Sequence, residues 1–206
     1  MMVNEGGRRF VNEAMNYLDV AKVMMDKSQG SRNLPSYLVF DSAYASKYSF
    51  VGRPPGARIP WWVESAPTLM ALGSKLRISP RQLASTVKGF NRNARLGSDP
   101  DFHRGRSPYD GHWEDPKAKS PTLGPVEMPP FYGVRILAGD IGTMGGLKTD
   151  GSAGVLDRSG GPVPGLFAAG NNSSSVMGGG YAGSGATLGL AITFGYLAGI
   201  SAAKGE

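Results

Sequence analysis

Glycine and other small residues dominate the last quarter of this 206-residue chain. The chain holds 31 glycines, many of them after residue 139, and the glycine loop before the last helix carries a single tyrosine, Tyr181. Because glycine has no Cβ, such a backbone can turn sharply or approach a partner closely. We interpret this region as an apolar strand over 166–169, a glycine loop, and a helix over about 184–203 packed close to a sheet or a ligand. Backbone amides, more than side chains, would then meet a bound molecule.

Composition narrows the classes of protein that are expected. Hydrophobic residues make up 40% of the chain, cysteine is absent, and the net charge is +6. The length allows one domain or two small ones, and no disulfide is needed. Lysine and arginine are scattered, which argues against a nucleic-acid partner. No secretion signal and no apolar run near the ~20 residues of a membrane span is apparent, so we expect a cytoplasmic chain without a transmembrane segment.

Local patterns predict the order of helices and strands along the chain. Residues 2–12 suggest a tight hairpin, 14–25 a short helix and 37–40 a strand. Ser79 and Pro80 form a helix start, and the apolar residues after them recur at helical spacing. Residues 97–125 are rich in Pro, Gly, Asp and Arg and predict a long irregular excursion. Four extended segments are then expected, at 131–137, 145–149, 153–156 and 166–169.

The start of the last helix is a candidate binding site. Its first turn includes Gly185, Ala186 and Thr187, whose amides the helix itself leaves unpaired and partly positive. Such an end favours a ligand that is negative or becomes so, for example a reduced flavin. The phenol of Tyr181 could donate to a carbonyl oxygen and, with the amide of Gly185, form a two-donor site for an enolate. The alternative is that the glycines only allow close packing and the tyrosine ring fills space.

Two other groups of residues are weaker candidates for a functional site. His103 and His112 lie among acidic residues, but their spacing matches no metal-binding pattern, so no metal is expected. The serines at 173–175 have no evident histidine or acid partner, which disfavours a hydrolase triad.

Several segments together resemble the C-terminal half of the flavin-dependent family that includes the 3-ketosteroid Delta-1-dehydrogenases, within the group related to fumarate reductase flavoproteins. The resemblance covers nearly the whole chain. It rests on the segments 4–13, 130–134, 139–150, 163–171 and 181–187. Fumarate reductases have an arginine and an asparagine where this chain has Tyr181 and glycines, so the last segment favours the ketosteroid branch.

The resemblance implies an α/β fold, or α+β for a fragment. Residues 1–140 would form an α+β substrate-binding domain, and 141–206 the C-terminal part of a split Rossmann-like FAD-binding domain. The N-terminal glycine fingerprint that holds the dinucleotide has no counterpart here. We therefore expect a C-terminal fragment, or a chain completed by a separate N-terminal FAD-binding half.

Residue roles follow from the same resemblance. Tyr181 and the amide of Gly185 would polarise the carbonyl of a steroid or another apolar cyclic ketone, and Tyr17 would remove the proton beside it. FAD would accept hydride from the next carbon. The resemblance assigns cofactor contacts to seven residues: Gly145, Gly146, Gly170, Asn171, Ala186, Thr187 and Leu188.

Two other functions stay open from the sequence. A related flavin-dependent reductase of an unsaturated acid would need a cation at the flavin, from Arg8 or Arg135. The other alternative is a non-catalytic truncated or accessory chain.

Overall fold

The computed structural model describes residues 1–26 and 33–205. The chain divides into two compact units, Met1–Ala138 and Gly139–Glu206. The sequence predicts a boundary after residue 140, two residues further on; the roles assigned to the two parts remain predictions. Helices and strands occur together along the chain, so the mixed fold class is confirmed.

The first unit is built on a four-stranded antiparallel sheet in the order β1-β2-β4-β3. The strands are β1 (Met2–Val3), β2 (Ser36–Asp41), β3 (Glu64–Ala66) and β4 (Phe131–Ile136). The helices are α1 (Tyr17–Met25), α2 (Ser42–Lys47), α3 (Leu69–Leu76) and α4 (Pro80–Arg95), with a 3-10 turn at Asp110–Trp113.

The central strand β2 is covered on both faces. Tyr37 and Val39 belong to the main core, which also contains Leu72 and Leu83 from α3 and α4. Phe40 faces the opposite side and packs with Phe50 and Val63. Successive side chains of a strand point to opposite faces, so β2 carries two hydrophobic layers.

The second unit is smaller. A hairpin pairs β5 (Gly154–Leu156) with β6 (Pro162–Phe167), a 3-10 turn follows at Gly170–Asn172, and the long helix α5 runs over Ala186–Lys204. The turn packs against α5. Within the residues that the structure describes, the buried apolar side chains of this unit are Ala153, Val155 and Ala168.

Several predicted elements are confirmed and several boundaries were wrong. The hairpin near the N-terminus forms, with Val3 bridged to Arg9. Helix α1 begins at Tyr17 instead of residue 14, because the Asn16 side chain caps it by accepting from the Asp19 amide. Residues 145–149 make only isolated bridges, through Leu147 and Thr149, and not a strand. β6 begins four residues earlier than predicted, at Pro162.

One helix bears on the expectation that the chain has no transmembrane segment. Of the residues described, α5 is long and apolar enough to cross a membrane, judged by length and composition. Its glycines, serine and threonines interrupt the apolar run, but the mean hydropathy of the helix is still that of an apolar segment. The same criteria are met by helices in the cores of proteins outside membranes, so the observation is weak support for a span.

Candidate active site

The N-terminus of α5 is formed by a glycine. Gly185 precedes the helix with a φ of 89°, in the left-handed region that a glycine enters without strain, and no side chain caps the helix. The Ala186 amide bonds back to the Gly183 carbonyl at 3.1 Å. The next amides of the first turn have no acceptor within the helix itself. An electron-rich ligand edge therefore fits at this end of the helix.

A narrow cavity opens beside this helix end, within the second unit. Four of the predicted cofactor contacts line it, together with Tyr181: Gly170, Asn171, Ala186 and Thr187. Met144, Ser175, Met177 and Leu190 complete the wall. The cavity volume is ≈ 20 Å³, so it can take the edge of a ligand and not a whole ring system. The unit thus supplies one wall of a binding site, with polar groups that fit a flavin edge.

Close packing explains why two of these positions are glycine. Gly170 has a φ of 60°, and a Cβ there would lie 3.1 Å from the Ala191 Cβ on α5. Gly146 is packed against the neighbouring chain segment, where a Cβ would overlap the Asn172 carbonyl oxygen. At Gly145 a Cβ would meet nothing within 4 Å. Gly146 therefore has a structural role whether or not it contacts a cofactor, and the cofactor roles of Gly145 and Gly146 stay predictions.

Leu188, like Gly145 and Gly146, lies outside the cavity wall. Its side chain is 68% exposed and is not part of the cavity wall. Any contact it makes with a ligand in this cavity would have to come from its backbone amide, which belongs to the first turn of α5.

Tyr17 lies in the first unit, as the first residue of α1. Its side chain is 56% exposed. The segment before it is held by Asn12, whose side chain accepts from the Ala14 amide at 2.9 Å and donates to the Asp110 carboxylate at 3.0 Å. The irregular segment 97–125 thus helps to hold the residues that precede Tyr17.

A cluster of buried charged side chains also holds the residues that precede Tyr17. The sequence patterns do not reveal this cluster. Arg9 donates to Glu13 at 2.7 Å and to Asp99 at 2.6 Å, and Arg104 lies 3.3 Å from Glu13. Burial alone would raise the pKa of the Glu13 carboxyl, but hydrogen bonds from Arg9 and nearby positive charges lower it to about 2. Arg9 and Glu13 are four residues apart but lie outside any helix, so their spacing does not predict a pair. Asp99 is 90 residues away from Arg9 and gives no local signal either.

No group of three or more His, Cys, Asp or Glu side chains that could hold a metal is found in residues 1–26 and 33–205. His103 and His112 lie in the first unit, on the irregular excursion.

Comparison with known proteins shows the family to which this chain belongs. The family model described as FAD binding domain matches residues 1–188. The chain belongs to the FAD binding domain family. The predicted cofactor, FAD, is thereby confirmed at the level of the family.

Individual relatives show which kinds of enzyme within the family this chain is similar to. The chain is 44% identical to a 3-oxosteroid 1-dehydrogenase of Mycobacterium tuberculosis, over 96% of this chain and 37% of the relative. It is 42% identical to a 4-oxocyclohexanecarboxylate 2-dehydrogenase of Sinomonas cyclohexanicum, over 97% of this chain and 36% of the relative. The predicted resemblance to ketosteroid dehydrogenases is confirmed.

A solved structure supports the same relationship. The crystal structure of a 3-ketosteroid delta1-dehydrogenase from Sterolibacterium denitrificans, in complex with 1,4-androstadiene-3,17-dione, superposes with a TM-score of 0.92 at 38% identity. It covers 100% of this chain, which covers 39% of that structure. The chain therefore spans less than two-fifths of the length of these relatives.

Proposed function

We propose that this chain supplies the ketone-activating, flavin-contacting part of an FAD-dependent dehydrogenase that desaturates a 3-ketosteroid or a similar cyclic ketone. One observation carries the proposal: Tyr181 lines the same cavity as Ala186 and Thr187 of the first turn of α5, in a family that binds FAD. The names of the two relatives described above, a steroid and a monocyclic ketone dehydrogenase, support the substrate class.

Tyr181 and Gly185 would act on the carbonyl oxygen. The hydroxyl of the Tyr181 phenol can donate a hydrogen bond to a carbonyl oxygen. The backbone amide of Gly185 would give the second donor. Negative charge grows on this oxygen as the neighbouring carbon loses its proton, so two fixed donors stabilise the transition state more than the ketone itself.

Tyr17 would receive that proton. The C–H bond beside the carbonyl breaks, its electron pair forms the new double bond, and the proton goes to the Tyr17 oxygen. When bound, FAD supplies the acceptor for the hydride that leaves the next carbon. The phenol must lose its own proton first, so an environment that lowers its pKa is required.

The wall of the cavity offers no cation that could hold a carboxylate. Its nine lining residues include no lysine, arginine or histidine. A reductase of an unsaturated dicarboxylic acid would need a cation to hold the carboxylates. Arg8 and Arg135, the residues that this alternative would require, are solvent-exposed residues of the first unit.

The test uses a completed flavoprotein, defined as this chain with the unmatched part of the mycobacterial relative joined upstream of Met1. The protein is mixed with a redox dye and either a 3-oxosteroid or 4-oxocyclohexanecarboxylate, and products are identified by mass spectrometry. We expect a yellow protein that removes two hydrogens from at least one ketone. The relative's part alone is the control and should be inactive.

Two outcomes would contradict the proposal. A yellow protein that reduces fumarate with a reduced dye, but desaturates neither ketone, would favour the reductase. A protein that does not bind flavin and forms no product would favour an accessory chain.

A further inference from the structure

We propose that Asn12 and Asp110 are positioning residues for Tyr17: the hydrogen bond between their side chains fixes the turn that leads into α1 and thereby sets where the Tyr17 phenol lies. This inference rests on the proposed function, in which Tyr17 receives the proton from the carbon beside the carbonyl. It adds two residues that act on the reaction only through Tyr17.

The position of the Tyr17 side chain depends strongly on its backbone. Tyr17 is the first residue of α1, and its side chain is 56% exposed, so packing leaves much of it uncovered. A base must lie within hydrogen-bond reach of the proton that it removes. A misplacement of about 1 Å can lower the rate by about 100-fold. A base at an exposed helix end therefore needs a fixed chain in front of it.

Asn12 fixes the chain in front of α1. Its side-chain oxygen accepts from the Ala14 amide at 2.9 Å, and its backbone oxygen accepts from the Met15 amide at 3.3 Å. A side chain that bonds to the backbone two residues later stabilises a turn. Asn16 follows directly and caps α1 with its side chain. A hydrogen-bonded turn and a helix cap thus connect Asn12 to Tyr17.

Asp110 anchors this turn to a distant part of the first unit. The residue is 4% exposed, and its carboxylate accepts from the Asn12 side-chain amide at 3.0 Å. The same carboxylate accepts from the Gly105 amide at 2.8 Å and from the Ser107 hydroxyl at 2.7 Å. Burial would raise the pKa of the Asp110 carboxyl, but the hydrogen bonds that it accepts lower the pKa below its ordinary value. Bonds to such an ionised group are stronger than bonds between neutral groups.

The Asn12–Asp110 bond can be tested apart from the cluster of buried charged side chains. The ion pairs of that cluster join Arg9 and Arg104 to Glu13 and Asp99 and do not involve Asn12. Asn12 is half-buried, so shortening its side chain leaves those ion pairs in place. A change in activity at this position then reports on the turn and not on the stability of the whole unit.

The test compares variants of the completed flavoprotein. Asn12→Ala removes the bond to Asp110, and the same substitution is also made together with Tyr17→Phe. Tyr48→Phe is the matched control, because the Tyr48 hydroxyl donates to the Asp115 carboxylate at 2.7 Å and anchors the same irregular segment at another point. For each protein, kcat and KM are measured with the ketone that the unchanged flavoprotein oxidises. Hydrogen–deuterium exchange of residues 13–19, followed by mass spectrometry, reports how well the turn is held.

We expect Asn12→Ala to lower kcat by about tenfold or more, with KM changed by less than about twofold, because a displaced base slows proton removal and not substrate binding. Exchange at residues 13–19 should become faster. Tyr48→Phe should change none of these quantities. When Tyr17 is already phenylalanine, Asn12→Ala should lower the remaining rate by less than about twofold, since two residues that act as a unit are not additive.

Three results would overturn the proposal: an unchanged kcat, a rise in KM without a loss of kcat, or the same fractional loss with and without the Tyr17 hydroxyl. The last result would show that Asn12 acts on the fold in general and not through Tyr17. Failure of the proposed function looks different. In that case the unchanged flavoprotein desaturates neither ketone, whereas full activity in Asn12→Ala contradicts this inference alone.

Discussion

The two units of this chain differ in how much of their apolar surface they bury. The first unit encloses a core of 15 buried residues around a strand covered on both faces, and a buried ionic cluster ties its loops together. The second unit buries three apolar side chains among its described residues and exposes most of its long helix. The first unit is organised around its own core. The second unit leaves much of its apolar surface exposed. Exposed apolar surfaces of this kind can bind a ligand or another part of the protein.

The largest effect on stability is expected in the first unit. Asp99→Ala removes one of two carboxylates that hold the buried Arg9, whose side chain is 5% exposed. Removing one partner from a buried ion pair costs up to about 3–5 kcal/mol, and here Glu13 remains as a partner of Arg9. Far-ultraviolet circular dichroism during urea unfolding of the full chain measures the change in stability.

Asp19→Ala is the matched control for that variant. Asp19 pairs with Lys22 at 3.1 Å, but both side chains are well exposed, and such pairs contribute about 0–1 kcal/mol. The account of the first unit is wrong if both substitutions lower the free energy of unfolding equally.

A smaller effect is expected in the second unit. Gly146→Ala would force a methyl group into the Asn172 and Ser173 backbone, and overpacking of this kind costs about 1–3 kcal/mol. Gly145→Ala adds a methyl group in open space and should change stability by about 0.5 kcal/mol or less. Thermal unfolding of the two variants in the completed flavoprotein gives the comparison.

Similar melting temperatures for these two variants would show that the close approach at Gly146 does not matter for the fold. A loss of flavin from Gly145→Ala, at unchanged stability, would instead support the predicted cofactor contact at Gly145.

Local signals made parts of the fold predictable. α4 is predictable because Ser79 caps it, Pro80 opens it, and Leu83, Val87, Phe90 and Ala94 are buried at helical spacing. α5 is recognisable by its small residues, to within two residues at its start. The short strand β3 and the helices α2 and α3 were missed. β3 has three residues, too few to show a period, and is defined by its pairing with β4, more than 60 residues later.

The candidate site was predictable where residues that form a sequence pattern also lie close together in the structure. Tyr181, Ala186 and Thr187 lie within one short segment, and the turn at Gly170 and Asn171 packs against the helix that follows. The support behind Tyr17 was not predictable. It depends on Asp99 and Asp110, which reach Arg9 and Asn12 across 90 and 98 residues of chain.

The central claim is that Tyr181 activates a ketone by donating to its oxygen. The direct measurement is the rate of ketone oxidation by the completed flavoprotein carrying Tyr181→Phe, with Tyr132→Phe, a tyrosine of β4 in the first unit, as the control. Flavin absorbance confirms that both variants hold the cofactor. We predict that Tyr181→Phe lowers the rate by about 100-fold, the usual cost of one lost oxyanion donor, and that Tyr132→Phe changes it little. Equal rates for the two variants would contradict the account.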